Sequence, residues 1–514
     1  MRATPTALTL LLTLCPAVAA AETVSVSDAD GLRAAIGAAS AGDVIELAAG
    51  TYRHTSKLSC RAAGTADEPI VVRPAPGAQP VVEFDTVEGF HVQGPHWHIE
   101  GLDIRGVCAD DSTCEHAFHV TGDADGAVIR GNVARNFNAH IKGNGTPSGD
   151  QGQYVWPDDV LVERNEFYSD APRQTSNPVT PIDIVGGRRW IVRENYIHDF
   201  AKGQGNNVSY AAFLKGNSRD GVFERNLIVC SRLHTGQVRV GLSFGGGGTG
   251  PDPICEDGTC DPEHQGGVMR NNIIASCSDV GVYINEGKDV VVEHNTLYDT
   301  SGIDARFAST TATIRHNVLM GRIRERDGGT ATLTNNLDQL SAADFERIFV
   351  DPANLDFTLA TRDELLDAAT GSVVTTDYCG RQRDDVPDLG AVEYSIGPPC
   401  DTSTTHPIDD GGSGGGEDAG GNGGEDAGGG ASDAGRGDDA GGPTGGGADA
   451  GGDPGGADAG ATSPDAGGSA SGDDGGGCAC ANAPGRPASP LGGATLALLA
   501  GLLSFSLRRH RPRS

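Results

Sequence analysis

Val290-Val291-Val292-Glu293-His294-Asn295 is the stretch that decides how this chain folds. A short β-branched run is followed by a polar pair and then an Asn, and the unit recurs along the chain. It stands as Val128-Ile129-Arg130-Gly131-Asn132, as Val160-Leu161-Val162-Glu163-Arg164-Asn165 and as Ile191-Val192-Arg193-Glu194-Asn195. It returns as Val222-Phe223-Glu224-Arg225-Asn226, Val268-Met269-Arg270-Asn271-Asn272, Ile314-Arg315-His316-Asn317 and Leu333-Thr334-Asn335-Asn336. Successive Asn residues lie about 19 to 46 positions apart. The shorter intervals fit one turn of a solenoid whose strands stack in parallel, and the longer ones fit turns with inserted loops. No unit can bury its own apolar face, so stability has to come from stacking. The expected fold is all-β: a right-handed single-stranded parallel β-helix over residues 22–400.

The recurring Asn reads as structural. Asn tolerates the left-handed conformation needed at a tight corner. Stacked on the Asn of adjacent turns, its amide can hydrogen-bond along the solenoid. The expected ladder is Asn132, Asn165, Asn195, Asn226, Asn272, Asn295 and Asn317. A leucine-rich repeat also carries a recurring Asn, but its Leu pattern is absent here. Residues 30–36 read as a short amphipathic helix capping the open end. Gly42-Asp43-Val44-Ile45-Glu46-Leu47 with Gly50-Thr51-Tyr52 starts the first coil, and residues 385–394 are expected to close the other end.

Both flanks of this region have a different character. Arg2, an apolar run over residues 8–14 and Ala17-Val18-Ala19-Ala20-Ala21 have the order of a secretory signal over residues 1–21. From residue 401 to 477 the chain becomes Gly-, Asp- and Ala-rich, with Asp-Ala-Gly recurring. Such a stretch has no apolar surface to offset the entropy of ordering, and a disordered linker is expected. Residues 478–514 then hold Cys478-Ala479-Cys480, an apolar run over residues 491–507 and an Arg cluster, the pattern of one short hydrophobic helix with its C-terminus in the cytoplasm. These three parts in this order resemble the C-terminal sorting tails of myxobacterial surface proteins. The resemblance implies a sorting motif at Cys478 and Cys480, recognition by envelope sorting and processing machinery, and a protein either anchored at the cell surface or released after processing.

Composition narrows the function classes. Among 514 residues there are 77 Gly, only 5% aromatics and a formal net charge of -32. No basic stripe exists to displace phosphate counterions, so nucleic acid is excluded as a partner. A local basic cleft is still compatible with this balance, because net charge says nothing about one groove. Export permits disulfides. Cys108/Cys114 and Cys255/Cys260 are spaced to close small loops, Cys230/Cys277 to join neighbouring coils and Cys379/Cys400 to staple the end of the fold. No CxxC pair precedes the tail, and no metal site is assigned.

Two edges of the repeat region carry a family resemblance. The opening, Gly42 to Tyr52 with the Pro-containing run that ends at Pro76, looks like that of the chondroitinase-B-like and alginate-lyase β-helices of polysaccharide lyase family six. Pro387-Asp388-Leu389-Gly390-Ala391-Val392-Glu393-Tyr394 looks like the closing segment of many right-handed β-helix repeat proteins. The resemblance implies a Lys base shortly before a strand-and-Asn unit, with an Arg assisting from the next coil. Lys215 and Arg239 occupy those places. It also implies acidic calcium ligands just upstream of the Lys. This chain has Asn207-Val208-Ser209-Tyr210 there, so calcium lacks its expected ligands.

The densest polar region runs from His116 to Arg239. A β-helix exposes one sheet face as a long groove, where equivalent positions on successive turns line up along an extended ligand. Lys215, Arg239, Tyr210 and His140 are the catalytic candidates: Lys215 as base, Arg239 as its cationic neighbour, and Tyr210 or His140 as proton donor. His116, His119, Lys142 and Asp183 are the substrate-binding candidates. The expected function is binding or cleavage of extracellular polysaccharide, with an acidic-glycan lyase as the enzymatic form. The alternative is a non-catalytic surface module for glycan binding or adhesion.

Overall fold

The computed structural model describes residues 21–148, 153–246, 249, 254–360, 367–394 and 402. All belong to the first of two contact-defined units, Met1–Gly423 and Gly424–Ser514. The signal segment, the linker, the Cys motif and the apolar run over residues 491–507 lie outside the described residues. Among the described residues, no helix is long and apolar enough to cross a membrane.

Three parallel sheets of 12, 10 and 10 strands, here sheets A, B and C, are each built from strands of successive coils. One coil shows the plan: Val128–Arg130 lies in sheet A, Val133–Arg135 in sheet B and Ala139–Asn144 in sheet C. The chain then returns to sheet A at Leu161–Glu163, in register with Val128–Arg130. Alternation sends one residue in two to the interior. In sheet A this inward row is Ile129, Val162, Val192, Phe223, Met269, Val292 and Ile314, all buried. The helix Ala29–Ala38 is capped by Asp28, whose side chain accepts from the Gly31 N–H at 2.8 Å. It buries Leu32 and Ile36 in the same core as the first coils, as a cap must.

The corner between sheets A and B carries the ladder. Each Asn amide points inward, and from Asn132 through Asn165, Asn195, Asn226, Asn272, Asn295 and Asn317 to Asn336 each Nδ2 donates to the next Oδ1 at 2.9–3.1 Å. Each of those oxygens also accepts the backbone N–H of the preceding Asn, and each Nδ2 also meets a backbone carbonyl near the end of a sheet A strand, as Asn226 does with Val192. The left-handed conformation is not at the Asn, as the sequence reading had it. It falls on the residue before: Gly131, Arg164, Glu194, Arg225, Asn271, His294, His316 and Asn335 all have φ between 47° and 62°. At Arg164, Glu194 and Arg225 the side chain keeps access to solvent, which is why charged residues tolerate the position, whereas Asn271, His294 and His316 are buried, and Asn271 is held by Arg383 of the C-terminal segment; in every coil the Asn is free to turn its amide inward.

The C-terminal segment departs from expectation. It does not plug the end of the solenoid. The last coil ends with the strand Thr330–Thr334. A helix Ala342–Ile348, opened by a Ser341/Asp344 capping box, then leads the chain back along the outside of sheet B. Tyr378, Leu389 and Ala391 pack there on Leu227, Ile273 and Val318. Arg383 pins the segment: its guanidinium reaches Glu393 at 2.8 Å, Asn271 Oδ1 at 2.8 Å and the Gly390 carbonyl at 2.9 Å. The cause lies in sheet B itself. Its outward positions in the later coils are Leu227, Val229, Ile273 and Ala275, an apolar patch that needs a cover.

Three disulfides join described residues, Cys108–Cys114, Cys230–Cys277 and Cys255–Cys260, and Cys379 is disulfide-bonded as well. Cys400, expected to pair with Cys379, lies outside the described residues. Cys60 is a buried free thiol.

The ladder yields a test. Asn226→Ala strands the Asn195 N–H and two amide groups in the core, so it should cost on the order of 3 kcal/mol. Asn354→Ala, on an exposed turn, should cost under about 0.5 kcal/mol. Urea unfolding of the two variants checks this.

Candidate functional site

The three outer faces differ in what they leave free. On sheet A, Glu100, Arg130, Glu163, Arg193, Glu224, Arg270, Glu293 and Arg315 stand in one register row, alternating in sign at every coil. Arg130 reaches Glu163 at 2.5 Å, Arg193 reaches the same carboxylate at 2.7 Å, and Arg315 reaches Glu293 at 2.8 Å. This face spends its charges on itself. Sheet B is covered over its later coils. In its earlier coils His198 lies between Asp199 at 2.8 Å and Glu166 at 3.1 Å, stacked against Tyr168 and Tyr196. Both imidazole nitrogens are thereby engaged.

Sheet C is the face with free groups. Its outward row runs His91, His119, Lys142, Asp183, Phe213, Ser243, Tyr283, Asp304 and Arg324. Lys142 pairs with Asp183 at 2.8 Å. Burial opposes ionisation of Asp183, but the ammonium groups of Lys142 and Lys215 outweigh it and hold the carboxyl below its ordinary value. Lys215 ends the strand Val208–Lys215, and its Nζ sits over the Phe213 ring at 4.5 Å from the centroid. Among the described residues, no carboxylate lies within 4.0 Å of that Nζ. Burial lowers the Lys215 pKa, Asp183 resists, and Lys142 adds to the lowering. This is the environment that makes a lysine a usable base.

Coils nearer the N-terminus extend the polar face. His119 Nδ1 is 3.0 Å from Glu88, and its Nε2 is 2.7 Å from Asn144 Oδ1. Its ring stacks on His91 at 4.9 Å and lies 5.1 Å from that of His116. Burial, reinforced by His119 and Lys142, pushes His116 down to about 3. Burial, with His119, takes His91 to about 4. Both are neutral at physiological pH.

The structure therefore gathers His116, His119, Lys142, Asp183 and Lys215 on one face. It separates the other three candidates from them. Arg239 is aligned with Ser209, six residues from Lys215 along the strand direction, or about 20 Å. Its guanidinium is buried and donates to the carbonyls of Cys230 at 3.0 Å and His234 at 2.7 Å, and to Ser231 Oγ. It holds the loop after the sheet B strand and does not sit across the groove from Lys215. Tyr210 lies about 16 Å along the strand from Lys215, five residues away. It packs with Val240, Val280 and Tyr283, and burial, with Tyr283 and Asp279, pushes its hydroxyl to about 12. His140 is wholly buried, its ring 5.4 Å from that of Phe167 and its Nε2 2.9 Å from the Tyr168 carbonyl. It is a core residue, out of reach of a ligand in the groove.

Glu88 and His91 escaped the sequence reading. Their signal is Glu88-Gly89-Phe90-His91-Val92, where Phe90 and Val92 point inward and His91 therefore outward. Aligning His91 with His119 requires the register between two coils joined by a long loop, which spacing alone does not supply.

Residues 16–164 match the family model of the Pel9A-like, right handed beta helix region. The solenoid is of that right-handed kind. Solved structures with similar coordinates include the pectate lyase Pel9A, at 15% identity and a TM-score of 0.48, covering 74% of this chain and 98% of that one. A rhamnogalacturonan lyase follows at 14% identity and 0.45, covering 73% and 96%. An alginate lyase from Paenibacillus sp. str. FPU-7 shows 16% identity and 0.32, covering 62% and 95%. No curated protein matches the chain.

The buried imidazoles set a pH dependence. Burial holds His140 near 3, with the Tyr168 carbonyl opposing and Arg173 assisting, and burial alone holds His264 near 3. Above the unfolded value of about 6.5 these groups are neutral in both states and contribute no slope. As pH falls from about 6.5 toward 3, the unfolded chain binds protons that the folded chain refuses, and stability is lost. The denaturant midpoint should fall between pH 7 and pH 5, and His140→Gln should shrink that fall. A drop of the same size in the variant would place His140 in a solvated position instead.

Proposed function

We propose that the outer face of sheet C binds an extracellular acidic polysaccharide and cleaves it by β-elimination, with Lys215 as the base. The observation that supports this most is Lys215 itself. It is part-buried at the end of a sheet C strand, lowered in pKa, and without a carboxylate partner in reach among the described residues. Lys142, Lys215, Arg306, Arg322, Arg324 and Arg326 stand on this sheet against Glu88, Asp183, Asp304 and Glu325, a local cationic surplus in a chain of net charge -32. A polyanionic ligand would be drawn to such a strip.

The step needs one base and one place for negative charge. The free amine of Lys215 takes the proton α to a uronate carboxylate. The electron pair of that C–H bond becomes a C=C bond, and the glycosidic C–O bond on the neighbouring carbon breaks. The departing oxygen keeps its electron pair and takes up a proton. Tyr210 and His140 are too far to supply it, so the proton just gained by Lys215 serves, on the same face of the sugar. Lys142 is the cation placed to offset charge on the carboxylate, in the role first assigned to Arg239. The N-terminal signal pattern and the Cys478/Cys480 tail fit a chain that works outside the cytoplasm and is anchored at the envelope or released by processing.

A second reading is a glycan-binding module without catalysis. It is favoured by the tie between Lys142 and Asp183, which leaves no unpaired cation beside Lys215 among the described residues. The two readings part on product. Incubated with alginate, chondroitin and pectin, the purified chain should generate ultraviolet absorbance from an unsaturated uronide with at least one of them. Lys215→Ala should lower that rate about a hundredfold or more. Unchanged activity in the variant contradicts the assignment, and binding without product supports the module.

The anchor is tested separately. Removal of residues 491–514 should release the chain into the medium. Retention at the cell surface would show that some other segment holds it.

A further inference from the structure

Glu88, His91 and His119 lie outside the chemistry assigned to Lys215, and one ligand atom from each falls within 4.8 Å of the other two. They come from two adjacent coils. The strand Glu88–Val92 supplies the first two, and His119 is the register partner of His91 on the strand His116–Thr121. The side chains keep 19%, 11% and 14% of their surface, so the cluster is held in place yet open to solvent.

The hydrogen bonds around the cluster decide which atoms are free. Asn144 Nδ2 donates to the Gly145 carbonyl at 2.9 Å, which fixes its amide and turns Oδ1 toward His119. Oδ1 can only accept, so the proton of a neutral His119 is on Nε2, 2.7 Å away. The lone pair of Nδ1 then faces the Glu88 carboxylate at 3.0 Å. Two acceptors at this distance need either a second proton on the imidazole or a metal cation between them. His91 repeats the arrangement: its Nε2 is 3.0 Å from Thr121 Oγ1, and its buried Nδ1, 3.6 Å from Glu88, has no hydrogen-bond partner among the described residues. Two imidazole nitrogens thus converge with one carboxylate, and each ring is oriented through its other nitrogen by a second oxygen, the arrangement that supports metal-ligating histidines.

We propose that Glu88, His91 Nδ1 and His119 Nδ1 form a binding site for a borderline divalent cation, of which Zn2+ is the representative. Two nitrogens and one oxygen suit such an ion, whereas calcium and magnesium favour all-oxygen sites. A fourth position is left to solvent. Lys57 Nζ, 2.6 Å from Glu88 Oε2, stays on the oxygen away from His119 or swings into solvent, its side chain being 42% exposed. The site lies three to four strand spacings from the Lys215 strand, about 14 to 19 Å, so it stands whether or not sheet C cleaves glycan.

Titration of the chelator-treated full chain with zinc chloride, followed by calorimetry, tests this. The Cys478 and Cys480 thiols are blocked beforehand by alkylation. One zinc per chain should bind, His119→Gln should abolish that site, and Thr121→Val should weaken it about 10- to 100-fold. Co2+ in place of zinc should give visible d–d absorption that disappears in His119→Gln. Thermal unfolding without metal shows whether the variant is folded; if it is not, Thr121→Val and the cobalt spectrum of the unaltered chain decide. No zinc uptake by the unaltered chain, or uptake unchanged in a folded His119→Gln, overturns the proposal.

Discussion

A buried amide that hydrogen-bonds to its own copy on the next coil is the interaction on which the rest of this structure depends. Each coil is too thin to enclose a core. It becomes stable only when the coil above fixes its register to the residue, because a slip by one residue would turn every inward side chain out. The Asn ladder supplies that fix. From Asn165 onward each Oδ1 accepts twice and the Nδ2 groups donate into the neighbouring coils, so a polar group that would be costly in the core becomes a satisfied one. Because the ladder holds the corner between sheets A and B, the residues after it enter sheet C at repeatable positions. This is how His91, His119, Lys142 and Asp183, widely separated in the chain, come to stand in one row.

The three faces then divide the work that a solenoid surface has to do. Sheet A alternates Glu and Arg up the stack and neutralises itself. That pattern also fixes register, since a one-coil shift would set like charges side by side. Sheet B turns apolar in its later coils and takes the C-terminal segment as a cover, secured by Arg383 in contact with Asn271. Sheet C keeps, among the described residues, a row of part-buried ionisable groups whose partners do not saturate them. A face of this kind suits a linear ligand longer than any single coil, and its cationic surplus suits an anionic one.

Much of the fold was legible because the repeat is both local and periodic. Val290 to Asn295 declares a strand and a corner without reference to any other residue, and its copies declare the stacking. The helix expected over residues 30–36, which the structure extends to Ala29–Ala38, showed itself through its amphipathic spacing. What stayed hidden depends on register and on loops. The left-handed corner belongs to Glu194 or His316 rather than to the Asn beside it, and nothing in residue preference alone would select a Glu for that conformation. Arg239 looked like a groove residue because it follows Lys215 by one coil. One coil along the stack says nothing about position along the strand, and there the two are far apart. The run Asn138-Ala139-His140-Ile141-Lys142 alternates as an outward face should, yet the ring of His140 lies inside against Phe167. The sense of alternation near a corner is set by the turn and not by the strand.

The central claim is that sheet C is the working face and that Lys215 marks its reactive point. A crystal structure of the Lys215→Ala chain soaked with a uronate tetrasaccharide tests it most directly. The account predicts a sugar chain lying across the strands that carry Lys142, Asp183 and Phe213, with one carboxylate beside Lys142 and the carbon next to it facing position 215. A sugar chain seated on the Tyr168–His198–Tyr196 stack of sheet B, with sheet C empty, would contradict it.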